Sequence, residues 1–106
     1  MITALQCQPH SQEFFAAIAL RKQLLHQPIN FYREAKYQTF ALIEEQKVIA
    51  AVTLQLYAGN FVHIRQVVFL PEYQNAANER LLKNFIYSYF QSHPGSISVK
   101  TLAKIN

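Results

Sequence analysis

The sequence predicts one α+β domain built on a mixed, mainly antiparallel sheet, with its elements in the order β-α-β-β-β-α-β. Two stretches, 14–25 and 81–89, carry apolar residues at three- and four-residue spacing, which is the helical period. Between them lie three runs rich in β-branched and aromatic residues, 40–43, 48–56 and 61–70, separated by short polar turns as in successive hairpins. Prolines close the periodic segments: Pro9, Pro28, Pro71 and the pair Pro94-Gly95 each stand just beyond one, where a missing N–H and a fixed φ do least harm.

The elements follow in chain order. Residues 2–7 predict a short first strand that ends before Pro9. Ser11 then offers a hydroxyl to first-turn N–H groups as an N-cap, and Glu13 places negative charge where the helix dipole favours it. Phe14, Ala17, Ile18, Leu24 and Leu25 share one face of a helix that runs to about His26 and stops before Pro28. Residues 27–39 interleave Pro28, Asn30, Phe31, Tyr32 and Tyr37 without a clean period, which predicts a loop or a short irregular helix.

Phe40, Ala41, Leu42 and Ile43 lead into Glu44-Glu45-Gln46-Lys47, and the apolar run 48–56 follows; strand, polar turn and strand make a hairpin. A second turn at Tyr57-Ala58-Gly59-Asn60 leads into 61–70, expected as a central, largely buried strand that Pro71 ends. Leu81, Leu82, Phe85, Ile86 and Tyr89 then form one face of a second helix, stopped by Pro94-Gly95. Residues 96–102 alternate again as a last strand. Because a helical crossover precedes it, it is expected parallel to strand 61–70.

Composition supports a packed single domain over 1–106. Hydrophobic residues make up 51 % and charged residues 15 % of the 106, which suits core formation and not disorder. Ten Lys and Arg stand against six Asp and Glu, a net charge of +4. They are scattered, so the chain has a general bias toward anionic ligands without the stripe that nucleic acid requires. Cys7 is the one cysteine; it excludes an internal disulfide and is read as a small buried hydrophobe and not a nucleophile. The four histidines show no i, i+4 pairing, so no metal is assigned. No run of about eighteen apolar residues occurs, and neither a membrane partner nor export is expected. The expected location is cytoplasmic.

One segment carries chemistry. Arg65-Gln66-Val67-Val68-Phe69-Leu70-Pro71-Glu72-Tyr73-Gln74 resembles the fourth strand of a GNAT-type acyl-CoA N-acyltransferase running into its cofactor loop. Gln74 matches the residue that opens that family's Q/R-x-x-G-x-G/A motif. Leu42-Ile43-Glu44-Glu45-Gln46-Lys47-Val48-Ile49-Ala50 resembles the family's hairpin between second and third strands, and Ile18-Ala19-Leu20-Arg21 resembles a segment of its first helix. The resemblance implies a GNAT-like fold lacking the last helix and two strands, and a strand left as an open edge implies a homodimer.

The resemblance also implies a function: transfer of an acyl group from acetyl-CoA, or another acyl-CoA, to an amine of a small molecule or protein. Backbone N–H groups at a strand-to-helix turn suit a pyrophosphate, which assigns Gln74, Asn75, Ala76, Ala77, Asn78, Glu79 and Arg80 to the cofactor, with Lys83 adding positive charge nearby. The pantetheine arm is expected along Val67, Val68 and Phe69. Within 74–79 there is no glycine, and Glu79 stands where the family has Gly or Ala. For the chemistry, the backbone of Val68 is the expected oxyanion donor and Glu72, His63 or Glu44 the candidate base. The competing reading is a non-catalytic GNAT-like domain that acts through protein contacts or weak CoA binding. A basic nucleic-acid module is the third and least supported.

Overall fold

The computed structural model describes residues 1–57 and 61–91. Four strands form one antiparallel sheet in the order β1-β2-β3-β4: Ile2–Cys7, Gln38–Glu44, Lys47–Tyr57 and Phe61–Phe69. Helix α1 (Gln12–Leu25) and the short α2 (Phe31–Glu34) lie between β1 and β2, and a 3-10 turn at Pro71–Tyr73 leads from β4 to helix α3 (Ala76–Gln91). The turn at 58–60, the stop at Pro94-Gly95 and the expected last strand at 96–102 lie outside the described residues.

Local chemistry explains where α1 begins and ends. The Ser11 hydroxyl accepts the Phe14 N–H at 3.1 Å, and His26 closes the helix in the left-handed conformation, its N–H donating to the Lys22 carbonyl at 3.0 Å. Both ends fall where the sequence predicts them. The hairpin between β2 and β3 turns through Glu45 and Gln46 alone, with φ of 49° and 69°. Two consecutive left-handed residues are the signature of a type I′ turn, normally given to Asn and Gly; here neither is present, so the turn carries backbone strain.

The pleat sends alternate side chains to opposite faces. On one face α1 covers Cys7, Ala41, Ala51 and Val68 with Phe14, Ala17, Ile18 and Leu20. On the other, α3 covers Phe40, Leu42, Val52, Leu54 and Phe69 with Leu82, Ile86 and Phe90. The buried line of α3 is therefore Asn78, Leu82, Ile86 and Phe90. Leu81, expected on that face, is 37 % exposed, because an i, i+4 line through Leu82 turns its neighbour outward; Phe85 and Tyr89 flank the line half-buried.

Strand β4 is the terminal strand of the described sheet. Val68 and Phe69 are buried, whereas Ile64, Gln66 and Val67 are half-buried, so this strand is less enclosed among the described residues than its apolar run suggests. Cys7 is buried as expected, and burial followed by the Glu13 charge pushes its thiol up to about 12. Among the described residues no helix is long and apolar enough to cross a membrane, and no group of three His, Cys, Asp or Glu side chains is placed to hold a metal ion.

Candidate functional site

Among the described residues, a cleft of about 440 Å³ lies on the side of β4 away from β3, called its outer edge below, lined by Leu24 and Leu25 of α1, Val67, Val68 and Phe69 of β4, and Gln74 and Glu79 of the loop and first turn of α3. Five of these seven are residues that the sequence assigns to a cofactor. What the sequence does not reveal is the opposite wall: the end of α1 faces the strand, and only the tertiary fold brings Leu24 and Leu25 there.

The direction of the β4 amides follows from one bond. Leu70 N–H donates to the Ile49 carbonyl of β3 at 2.9 Å. Amides alternate between the two sides of a strand, and the register Phe69↔Ala50, Val68↔Ala51, Val67↔Val52 runs without a shift, so Val68 points its N–H at β3 as Leu70 does. Val67 and Phe69 point theirs at the outer edge. The Val68 N–H, expected from the sequence as the oxyanion donor, thus points at β3, and the N–H groups turned away from β3 are those of its two neighbours, because period-2 alternation permits either Val68 or the flanking pair and not all three.

The loop after β4 is tied down by short-range bonds. Asn75 caps α3, its side-chain oxygen accepting the Asn78 N–H at 2.8 Å and its carbonyl the Glu79 N–H at 3.0 Å. Asn78 is turned inward, its amide donating to the Tyr73 carbonyl at 2.8 Å. None of residues 70–79 has a positive φ, so this loop closes without needing the conformation that only glycine adopts freely. The absence of glycine costs the backbone nothing here. Ala76 and Ala77, both exposed, hold the first two helical N–H groups, which no intrahelical carbonyl can reach.

The candidate bases do not gather at the cleft. Glu72 is exposed on the 3-10 turn and is not among the described lining residues. Glu44 faces α3's side of the sheet, where the Tyr73 hydroxyl donates to its carboxylate at 2.7 Å; that bond, with lesser desolvation, raises the tyrosine's pKa. His63 pairs with Gln55 far back on β4, roughly 16 Å from Val68 at the usual rise per residue. Arg80 is exposed beyond Glu79, so among the described lining residues the charged group is a carboxylate.

Behind the cleft lies a polar network that sequence reasoning missed. Arg21 is fully buried and forms an ion pair with Glu34 of α2 at 2.7 Å. Its Nε donates to Gln66 Oε1 of β4 at 2.9 Å, and its Nη2 donates to the same oxygen. The signal was present: Arg21 continues the Phe14, Ala17, Ile18 stripe at helical spacing, and a cation on an apolar face requires a buried partner.

No protein-family model and no curated protein sequence matches the chain. Solved structures do. The ribosomal-protein-S18-alanine N-acetyltransferase of Escherichia coli superposes with a TM-score of 0.65 at 18 % identity, over 87 % of this chain and 61 % of that one. A Lactobacillus plantarum protein described as an N-acetyltransferase gives 0.71 at 14 % identity, over 88 % and 69 %. The chain has the GNAT fold. The N-acetylglutamate synthase of Neisseria gonorrhoeae, solved with coenzyme A and N-acetyl-glutamate, shares it with a TM-score of 0.57 at 15 % identity, over 85 % of this chain and 23 % of that one. This chain spans about three fifths of the E. coli enzyme's length. Within the GNAT fold, the cleft lies where β4 gives way to the loop and α3.

Proposed function

We propose that the protein is an N-acyltransferase that takes acetyl-CoA, or another acyl-CoA, as donor and a small-molecule or protein amine as acceptor. The observation that carries the reading is the cleft itself: β4 amides turned away from β3, an apolar wall from Leu24 and Leu25 of α1, and Gln74 and Glu79 of the loop and first turn of α3 border one space. The GNAT fold, shared with acetyltransferases of which one was solved with coenzyme A, adds support.

The residues fit such a donor. The outward N–H of Val67 and Phe69 would hold the amides of the pantetheine arm or the thioester oxygen, and Leu24 and Leu25 would exclude water from it. The free N–H groups of Ala76 and Ala77 would meet the pyrophosphate at the positive end of α3. Acyl-CoA supplies the activated carbonyl; the chain's task is to place the amine against it and to steady negative charge on its oxygen with preorganised donors. No base is needed inside the cleft if the amine arrives deprotonated; among the described lining residues the one carboxylate is that of Glu79, in the first turn of α3.

A specific observation favours the second reading, a GNAT-like domain without catalysis. Glu79 lines the cleft and would repel a pyrophosphate, while Asn75 consumes one of the helix N-terminal donors. Release of free thiol from acetyl-CoA in the presence of amines separates the two, and thermal denaturation with and without acetyl-CoA tests for the donor site itself. A donor at about 100 times its dissociation constant adds roughly 2.7 kcal/mol of stability, so the melting temperature rises for the enzyme. An unchanged melting temperature at millimolar acetyl-CoA overturns the acyl-CoA reading.

A further inference from the structure

The Arg21, Glu34 and Gln66 side chains join three elements at one guanidinium. Arg21 is the largest fully buried side chain of the described residues, and it holds α2 through Glu34 and β4 through Gln66. Both walls of the cleft start from it. Leu24 and Leu25 lie three and four residues beyond Arg21, on the same face of α1, and Gln66 immediately precedes Val67, Val68 and Phe69.

Strand β4 is irregular at that place. Thr53 pairs with Gln66 but Leu54 with Ile64, so Arg65 is an extra residue, and a bulge of this kind re-aims the strand beyond it. The Thr53 hydroxyl opposite Gln66 has no hydrogen-bond partner among the described residues, and the bonds to the Gln66 oxygen come from Arg21. The side chain at the bulge is thus tied to α1, while the strand backbone stays paired with β3.

Stability alone does not account for the arrangement. Replacing a buried ion pair by apolar residues of similar volume is often neutral or stabilising, whereas a planar guanidinium held at several points fixes geometry. We infer that the Arg21–Glu34–Gln66 network is a spacer that sets the distance between α1 and the outer edge of β4, and that Arg21 and Gln66 are positioning residues for the acyl-CoA arm. The inference rests on the acyl-CoA reading of the cleft.

The test measures coenzyme A affinity by calorimetry and melting temperature together. The triple variant Arg21→Met/Glu34→Leu/Gln66→Leu is expected to melt at or above the wild-type temperature yet bind coenzyme A about tenfold more weakly, since a misplaced wall costs affinity without costing packing. Gln66→Leu alone is expected to weaken binding similarly, and Gln66→Glu, which keeps an oxygen for Arg21, to restore it; these single variants decide the matter should the triple variant not fold. Coenzyme A binding unchanged in Gln66→Leu overturns the inference and leaves the acyl-CoA reading standing. A wild-type chain that binds no coenzyme A overturns both.

Discussion

The two faces of the sheet are built differently. Under α3 the core is hydrocarbon and aromatic: Phe40 meets Phe85, Tyr89 and Phe90 at ring-centroid distances of 6.0, 5.3 and 6.1 Å, edge to face in each case. Under α1 the core has small residues, Ala17, Ala41 and Ala51, beside a buried arginine, a buried glutamate and the buried Thr39 and Thr53. Packing of large rings supplies stability to the first face, while the second spends buried area on a polar network behind the cleft. An aromatic cluster and a polar network thus share one sheet, one on each side of the pleat.

The largest effect should come from the aromatic face. Phe40→Ala removes the ring at the centre of that cluster and is expected to cost about 3–5 kcal/mol, measured by chemical denaturation. If the loss were under about 1 kcal/mol, the contrast between the faces would fail. Glu34→Leu probes the other face by taking the carboxylate from a buried cation, and about 3 kcal/mol should be lost. The two losses differ in kind. Apolar replacement of the whole network should recover the second, and no polar substitution should recover the first.

Alkaline pH sharpens the comparison further. Cys7 sits on the α1 face with its thiol pushed up to about 12 from an ordinary 9.0, by burial first and Glu13 second. The unfolded chain sheds that proton near the ordinary value while the folded one keeps it. Above that value the unfolded state binds fewer protons, so stability falls as pH rises toward 12, by up to roughly 1.4 kcal/mol per unit. Denaturation across this range should show a steeper decline for wild type than for Cys7→Ala. Parallel curves would mean that the thiol is solvated.

Much of the fold was legible in the sequence because its signals are local. Ser11, Pro28, Pro71 and the two apolar periods mark helix and strand limits through capping, fixed φ and side-chain spacing, all within one or two turns of chain. The strand and loop that border the cleft were legible in the same way, since 67–69 and 74–79 are nearly contiguous. The β4 partner of Arg21 was not, because Gln66 lies 45 residues away along the chain and only the folded sheet joins the two. The amide direction of Val68 was also hidden, because it depends on register and a single bond to Ile49.

Smaller effects test the turns. Gln46 has φ of 69°, and Gln46→Gly relieves left-handed strain at the cost of added unfolded-state freedom, for a net gain of about 0.5–1 kcal/mol. Equal or lower stability would show that the hairpin is held by other contacts. Glu79→Gln removes the carboxylate beside the first turn of α3, and coenzyme A should then bind about two- to fivefold more tightly, the range expected of one charge near a helix terminus. Weaker binding would show that Glu79 contributes to the ligand instead of opposing it.

Amide chemical-shift mapping during titration with coenzyme A reads whether one cleft at the outer edge of β4 receives the acyl-CoA. The largest changes are expected at Val67, Phe69, Ala76 and Ala77, with smaller ones at Leu24 and Leu25 across the cleft. Saturating changes confined to the α3 face around Phe40, or no change at millimolar ligand, would contradict it.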